Sequence, residues 1–112
     1  MTGEELLTEL YDRMAAEQKK FREWLLTQPP NVILDHAYEY SIREDMMVEM
    51  EVLDLPEAQT KALLKSKTPL ADVYKEWQKT ETHHMEDLRD VIENRADAVI
   101  RAEKEKGQRG ER

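Results

Sequence analysis

The sequence contains no cysteine, which excludes disulfide bonds and thiol chemistry and fits a reducing compartment. Only three glycines and four prolines are present, which leaves little material for turns and strands. No run approaches the ~20 consecutive apolar residues of a membrane-spanning helix. Near the N-terminus, Glu4 and Glu5 stand where a signal peptide would carry basic residues. We therefore expect a cytoplasmic protein that crosses no membrane.

The composition favours one small domain with a highly charged surface. Charged residues make up 38% of the chain and apolar residues 39%. The charged fraction is well above the ~25% of an average globular domain, which suits solvated helices. A chain of 112 residues can bury a modest core but not a deep enzyme cleft. We predict a single helical domain over residues 1–106 and a disordered tail over residues 107–112.

Helix signals divide the first part of the chain into three segments. Thr2 and Glu5 have the spacing of a capping box that opens the first helix. This helix ends before Pro29, because a proline disfavours helical geometry at the residue before it. A second helix is predicted over residues 30–53. A short third helix is predicted over residues 57–65.

The most extended periodic pattern lies in the C-terminal part of the chain. Thr68 and Pro69 have the order of an N-cap and a first helical residue, and no further proline or glycine occurs before Gly107. We predict one helix over residues 68–105, about 55 Å long at ~1.5 Å per residue. The predicted fold class is therefore all-α: a bundle of three to four helices with one very long C-terminal helix.

The distal part of this long helix has an apolar stripe that no other predicted helix is long enough to cover. An uncovered apolar stripe is expected to pair with another surface. We therefore predict a homodimer whose interface includes four residues of this stripe: Leu88, Val91, Ile92 and Val99.

The second helix is apolar on two faces. One stripe consists of Ile33, Ala37, Tyr40, Met47 and Val48, and the other of Tyr38, Ile42, Met46, Met50 and Leu53. Such a helix is either sandwiched inside a bundle or keeps one face for a partner. The sandwich is the simpler interpretation. The alternative rests on Met46, Met47 and Met50, because flexible thioethers are common at adaptable binding surfaces.

The net charge of −8 is concentrated in one segment. Residues 31–57 hold eight acidic residues and one basic residue, whereas residues 58–112 hold eleven acidic and twelve basic residues. This distribution disfavours direct binding to nucleic acid and favours a protein partner with a basic surface. Alternatively, the acids form only a solvated face. The predicted partner-binding residues are Glu39, Glu44, Asp45, Met46, Glu49, Met50, Glu51 and Asp54.

No pattern in the sequence predicts catalysis. His83 and Asp87, spaced i, i+4, could touch one metal ion, and His36 and Glu39 resemble half of a carboxylate-bridged bundle site. The second half of such a site is absent from the sequence. We predict no catalytic residue, no metal ligand and no cofactor, and we keep a metal-dependent helical-bundle enzyme as a remote alternative.

Four runs of the sequence resemble a known family: residues 29–40, 43–45, 69–74 and 93–96. They are similar to a family of small uncharacterised bacterial proteins, a domain of unknown function encountered on conjugative and other mobile elements. The resemblance covers residues 5–103. It implies a mobile-element context and brings no catalytic residues with it.

This implied context leads to two functional hypotheses. The first is a non-enzymatic binding protein that inhibits a nucleic-acid-handling enzyme, as type II anti-CRISPR proteins do. An RNA-guided nuclease holds nucleic acid in a positively charged channel, which an acidic helical surface could occupy. The second is a dimeric structural or regulatory accessory protein of a mobile element.

Overall fold

The computed structural model describes residues 2–80 and 84–110, and every regular element in these ranges is an α-helix. The all-α fold class is therefore confirmed for the described part of the chain. In chain order the helices are α1 (Gly3–Leu26), α2 (Pro30–Val52), α3 (Glu57–Leu64), α4 (Pro69–Thr80) and α5 (His84–Gly110).

The start of α1 and the connection to α2 follow their sequence signals. The backbone N–H of Glu5 donates to Oγ1 of Thr2 at 3.2 Å. Thr2 is therefore the N-cap of α1, as the sequence predicts. After α1 ends at Leu26, Pro29 occupies the N-cap position of α2 and Pro30 its first helical position. Proline suits that position because the missing N–H would have had no partner inside the helix.

The core is small and lies where α1 meets α2, α3 and α4. Its buried residues are Leu10 and Met14 on α1, Met47 and Met50 on α2, and Leu70 on α4. Leu10 and Leu70 have no exposed surface. Since α1 contacts both α2 and α3, it is the central helix of this compact unit, which spans residues 1–78.

Both apolar stripes of helix α2 contribute a residue to its buried side. The buried Met47 belongs to one stripe and the buried Met50 to the other. Val48 and Val52, by contrast, are exposed by 60% and 79%. Within the described residues, α2 is therefore buried on the side between the two stripes and exposed to solvent on the opposite side.

The C-terminal region differs in detail from the single long helix predicted for residues 68–105. The structure describes α4 and α5 separately, and the continuity of the helix across residues 81–83 lies outside the described residues. The number of helices is five in the described part, not three to four. A second compact unit, residues 79–112, contains α5.

The end predicted for the long helix, at residue 105, is wrong, because α5 continues to Gly110. No described glycine has a positive φ, so Gly107 does not adopt the left-handed conformation that terminates many helices. Residues 107–110 of the predicted tail are helical, and residues 111–112 lie outside the described ranges. Across residues 2–80 and 84–110, no helix combines the length and apolar character that crossing a bilayer requires.

Candidate interaction groove

Glu17 joins the middle of α1 to the beginning of α4. Its Oε1 accepts the backbone N–H of Leu70 at 2.9 Å, and its Oε2 accepts that of Ala71 at 2.8 Å. The first N–H groups of a helix have no partner within the helix, and the positive end of the helix dipole favours a carboxylate there. Glu17 therefore caps α4 from another helix and holds it against α1.

Arg43 extends this polar contact to α2. Its guanidinium forms an ion pair with Glu39, lies 3.9 Å from Oε2 of Glu17, and stacks 4.3 Å from the ring centroid of Phe21. Arg43 is buried, and a buried cation is tolerable only when carboxylates neutralise it. Glu39, which was predicted to bind a partner, is consequently occupied by an internal ion pair.

Glu44 and Glu51 contact α1. Glu44 Oε1 accepts a hydrogen bond from Nε2 of Gln18 at 2.9 Å. Glu51 Oε1 accepts one from the hydroxyl of Tyr11 at 3.3 Å. Asp54 follows α2 and lines a separate depression beside the start of α1. Glu44 and Asp54 therefore line two separate depressions, and Glu51 shares a third one with Met50.

The remaining four predicted residues lie together along one groove. Asp45, Met46, Glu49 and Met50 form the α2 side of a cavity of about 320 Å³. We call this cavity the acidic methionine groove. The other lining residues come from α1, α2, the turn after α2, α3 and α4: Met14, Ile42, Leu53, Leu55, Leu63, Val73 and Trp77.

Trp77 forms the α4 wall of the groove and is held in place by α2. Its indole Nε1–H donates to the hydroxyl of Tyr38 at 3.1 Å, while 40% of its surface stays exposed. An indole with a satisfied N–H and an accessible ring is a typical contact residue of protein interfaces. Trp77 therefore offers a large, positioned apolar surface beside the thioethers of Met46 and Met50.

The charge at the groove is of one sign. Asp45 and Glu49 are exposed and spaced i, i+4, so both carboxylates lie along the same edge of α2. Among the described residues that line the groove, none is basic. The groove therefore combines an apolar floor with an acidic rim.

A second depression of about 460 Å³ lies between the start of α1 and the end of α2. Its lining includes Glu4, Thr8 and Glu51, and Tyr11 hydrogen-bonds across it to Glu51. Because polar and charged side chains form part of its lining and Tyr11 already bonds to Glu51, the acidic methionine groove is the better candidate for binding an apolar surface.

The structure supports no metal centre in the part of the chain that it describes. No group of three or more His, Asp or Glu side chains converges there. His36 lies with Nδ1 2.9 Å from the carbonyl oxygen of Val32 and packs edge-on against Trp24. His83 lies outside the described residues, so the pair that it forms with Asp87 in the sequence has no described geometry.

The predicted dimer residues lie on α5, in the second unit. Leu88, Val91, Ile92 and Val99 are all exposed in the single chain.

Sequence reasoning missed the contributions of Leu63, Val73 and Trp77 to the groove. In the sequence these three residues are recognisable only as apolar positions of helices. The packing of α3 and α4 in the fold brings them to the same groove as Met46 and Met50.

A family model described as protein of unknown function (DUF3848) matches residues 6–100. No curated protein and no solved structure matches the chain. The match extends over α1 to α4 and most of α5. It therefore includes both the acidic methionine groove and the exposed face of α5.

Proposed function

The chain belongs to the DUF3848 family of proteins of unknown function, and on that premise we propose that it is a non-enzymatic binding protein. It acts by holding a helical segment of a partner protein in the acidic methionine groove. The observation that carries this proposal is the groove itself, an open apolar floor bordered by Asp45 and Glu49.

The floor of the groove suits an amphipathic helix. In such recognition, apolar residues at i and i+3 or i+4 of the partner lie in a hydrophobic groove. Methionine side chains adapt to partners of different shape, and Met46 and Met50 are one helical turn apart. Trp77 supplies a rigid wall against which an inserted side chain can pack.

The rim of the groove specifies the charge of the partner. Asp45 and Glu49 face solvent along one side, so lysine or arginine residues flanking the apolar anchors would meet opposite charge. Charge complementarity of this kind raises association rates and rejects acidic competitors. The proposed partner is therefore a basic amphipathic helix.

A more specific version of this proposal is inhibition of an RNA-guided nuclease in the manner of an anti-CRISPR protein. It is supported by the excess of seven negative charges in residues 31–57, which suits a positively charged nucleic-acid channel. Glu39 no longer contributes to this surface, because Arg43 neutralises it. The alternative, a dimeric accessory protein of a mobile element, draws on α5 instead of the groove.

The groove can be tested with a synthetic basic amphipathic peptide that carries leucine at i, i+4 and lysine on its flanks. Its binding is measured by fluorescence anisotropy. We expect Asp45→Lys with Glu49→Lys to weaken binding about tenfold or more. We also expect wild-type binding to weaken as salt rises from about 50 to about 300 mM.

A matched control separates the groove from overall charge. Glu23→Lys with Asp35→Lys makes the same change in net charge at two exposed acids outside the groove. The control should bind nearly as well as wild type, and circular dichroism should show equal helix content in both double variants. Equal loss of binding in the two would refute a specific groove.

The nuclease hypothesis has its own readout. A type II RNA-guided nuclease is assayed for DNA cleavage with the wild-type protein and with the Asp45→Lys, Glu49→Lys variant. Inhibition by the wild type and not by the variant is the expected result. Full cleavage in the presence of the wild type would remove this version while leaving peptide binding to the groove as a separate result.

A further inference from the structure

The apolar residues of α5 form a continuous uncovered face. Met85, Leu88 and Ile92 are exposed by 72%, 44% and 68%, and Val99 is also exposed. Isolated apolar residues on a surface are ordinary, but a stripe along several turns of one helix marks an interaction surface. This face therefore needs an occupant.

The spacing of this face is that of a coiled-coil seam. Positions 85, 88, 92, 95, 99 and 102 alternate in steps of three and four residues. Such alternation repeats every seven residues and keeps one seam facing a partner helix. The seam residues are Met85, Leu88, Ile92, Arg95, Val99 and Ala102.

The net charge of α5 changes sign along the helix. Residues 84–97 contain five acidic and two basic residues, for a net charge of −3, whereas residues 98–107 contain two acidic and three basic residues, for a net charge of +1. Two copies placed side by side in the same direction would bring their acidic halves together. Two copies in opposite directions would bring the basic end of each helix beside the acidic beginning of the other.

We propose that α5 pairs with α5 of a second copy of this chain as an antiparallel two-stranded coiled coil, because its seam is apolar and its two halves carry opposite charge. The contact is independent of the acidic methionine groove.

One register of this pairing matches the sizes of the seam residues. With Leu88 opposite Val99 of the partner subunit, Met85 lies opposite Ala102 of the partner subunit, so a large side chain meets a small one. Ile92 lies opposite Arg95 of the partner subunit. The aliphatic stem of that arginine can cover the isoleucine while its guanidinium reaches water.

The same residues argue against a parallel pair. In a parallel pair at equal register, each seam residue meets its own copy, so Arg95 would lie against Arg95 of the partner subunit in the seam. Like charges at that distance are unfavourable, and the acidic halves would add to the repulsion.

The absence of native cysteine makes the orientation directly measurable. Full-length Leu88→Cys and Val99→Cys proteins, one of them carrying a larger tag, are oxidised separately and as a mixture. In the antiparallel register, the mixture forms the mixed disulfide and each variant alone stays largely uncrosslinked. Equivalent residues would be offset by about 16 Å along the axis, too far for a disulfide.

Two further variants test whether the seam itself holds the dimer. Leu88→Glu with Ile92→Glu should convert a concentration-dependent dimer into a monomer in sedimentation experiments. Ile100→Glu, at an exposed position beside the seam, should leave the dimer intact. Helix content measured by circular dichroism should be similar in all three proteins.

Three results would overturn the proposal. The first is efficient crosslinking of Leu88→Cys with itself, which indicates a parallel pair. The second is a wild-type protein that remains monomeric at high concentration. The third is a dimer that Leu88→Glu with Ile92→Glu does not dissociate.

Discussion

Glu17 Oε1 lies 2.9 Å from the backbone nitrogen of Leu70, so a residue in the middle of α1 caps the N-terminus of α4. The same carboxylate lies 3.9 Å from Arg43 on α2. One side chain thus joins three helices. The position of α4, and with it the Trp77 wall of the groove, depends on this contact.

We predict that Glu17→Ala destabilises the protein by about 2–4 kcal/mol. The change leaves the N–H groups of Leu70 and Ala71 without their acceptor and weakens the neutralisation of Arg43. Urea denaturation followed by circular dichroism measures the loss. Glu23→Ala, at an exposed site on the same helix, should change stability by less than about 0.5 kcal/mol. Equal values for the two variants would contradict the capping role.

The ion pair between Arg43 and Glu39 should show strong energetic coupling. We expect Arg43→Met to cost about 3–5 kcal/mol, because it leaves two carboxylates without their cation. Adding Glu39→Gln should recover part of that loss, and the double-mutant cycle should give a coupling of about 1–3 kcal/mol. Thermal or urea denaturation of the four proteins provides the values.

The exposed pair Lys61–Glu57 is the control for this cycle. Its Nζ–Oε1 distance is 3.1 Å, and both side chains are more than half exposed. Solvent screening should reduce its coupling to less than about 0.5 kcal/mol. A coupling as large as that of Arg43 and Glu39 would show that burial is not the cause of the difference.

Tyr74 should make the protein less stable at alkaline pH. Burial raises the pKa of its phenol above 10.0, and the nearby Glu39 carboxylate adds to the rise. The native state therefore keeps a proton that the unfolded chain loses, so this stability is present below pH 10 and is lost as pH rises through the native pKa.

Tyr74→Phe should flatten this alkaline loss, because phenylalanine has no proton to lose. Urea midpoints measured just below and just above pH 10 for both proteins provide the comparison. The wild type should lose more stability across that interval than the variant. Identical losses would assign the alkaline effect to other groups.

Leu10 should be the most sensitive apolar position of α1. It has no exposed surface and lies at the centre of the buried cluster, so Leu10→Ala should cost about 2–5 kcal/mol. Leu26→Ala on the same helix removes the same atoms from a side chain that is exposed by 65%, and should cost less than about 0.5 kcal/mol. Chemical denaturation of the two variants tests this difference.

The polar break in the α1 stripe shows why sequence periodicity misses some core residues. The sequence places Glu17 and Gln18 within an otherwise apolar pattern, yet Gln18 is buried and Glu17 faces α4. Their partners are Tyr40 and Glu44 on α2 and backbone groups of α4. Periodicity measures only apolar character, so it cannot identify a polar residue whose partners come from other helices.

The acidic methionine groove also shows that a sequence pattern does not identify every contact between helices. The sequence predicts Asp45, Met46, Glu49 and Met50 as four members of a set of eight, and residues one turn apart share a face of α2. Glu39 lies about two helical turns before Met46. Its carboxylate, however, forms an ion pair with the buried Arg43. Which carboxylate neutralises a buried cation depends on the packing of α1 and α4 against α2.

The sequence by itself determined the α-helical class, the Thr2 cap, the proline boundary between α1 and α2, and the segment that carries the negative charge. These features depend on residues within a few positions of one another, so local geometry decides them. Only the tertiary structure decided that Glu17 caps α4, that Glu39 neutralises Arg43, and that Trp77 and Met46 line one groove. Those contacts join residues far apart in the chain, and helix packing alone brings them together.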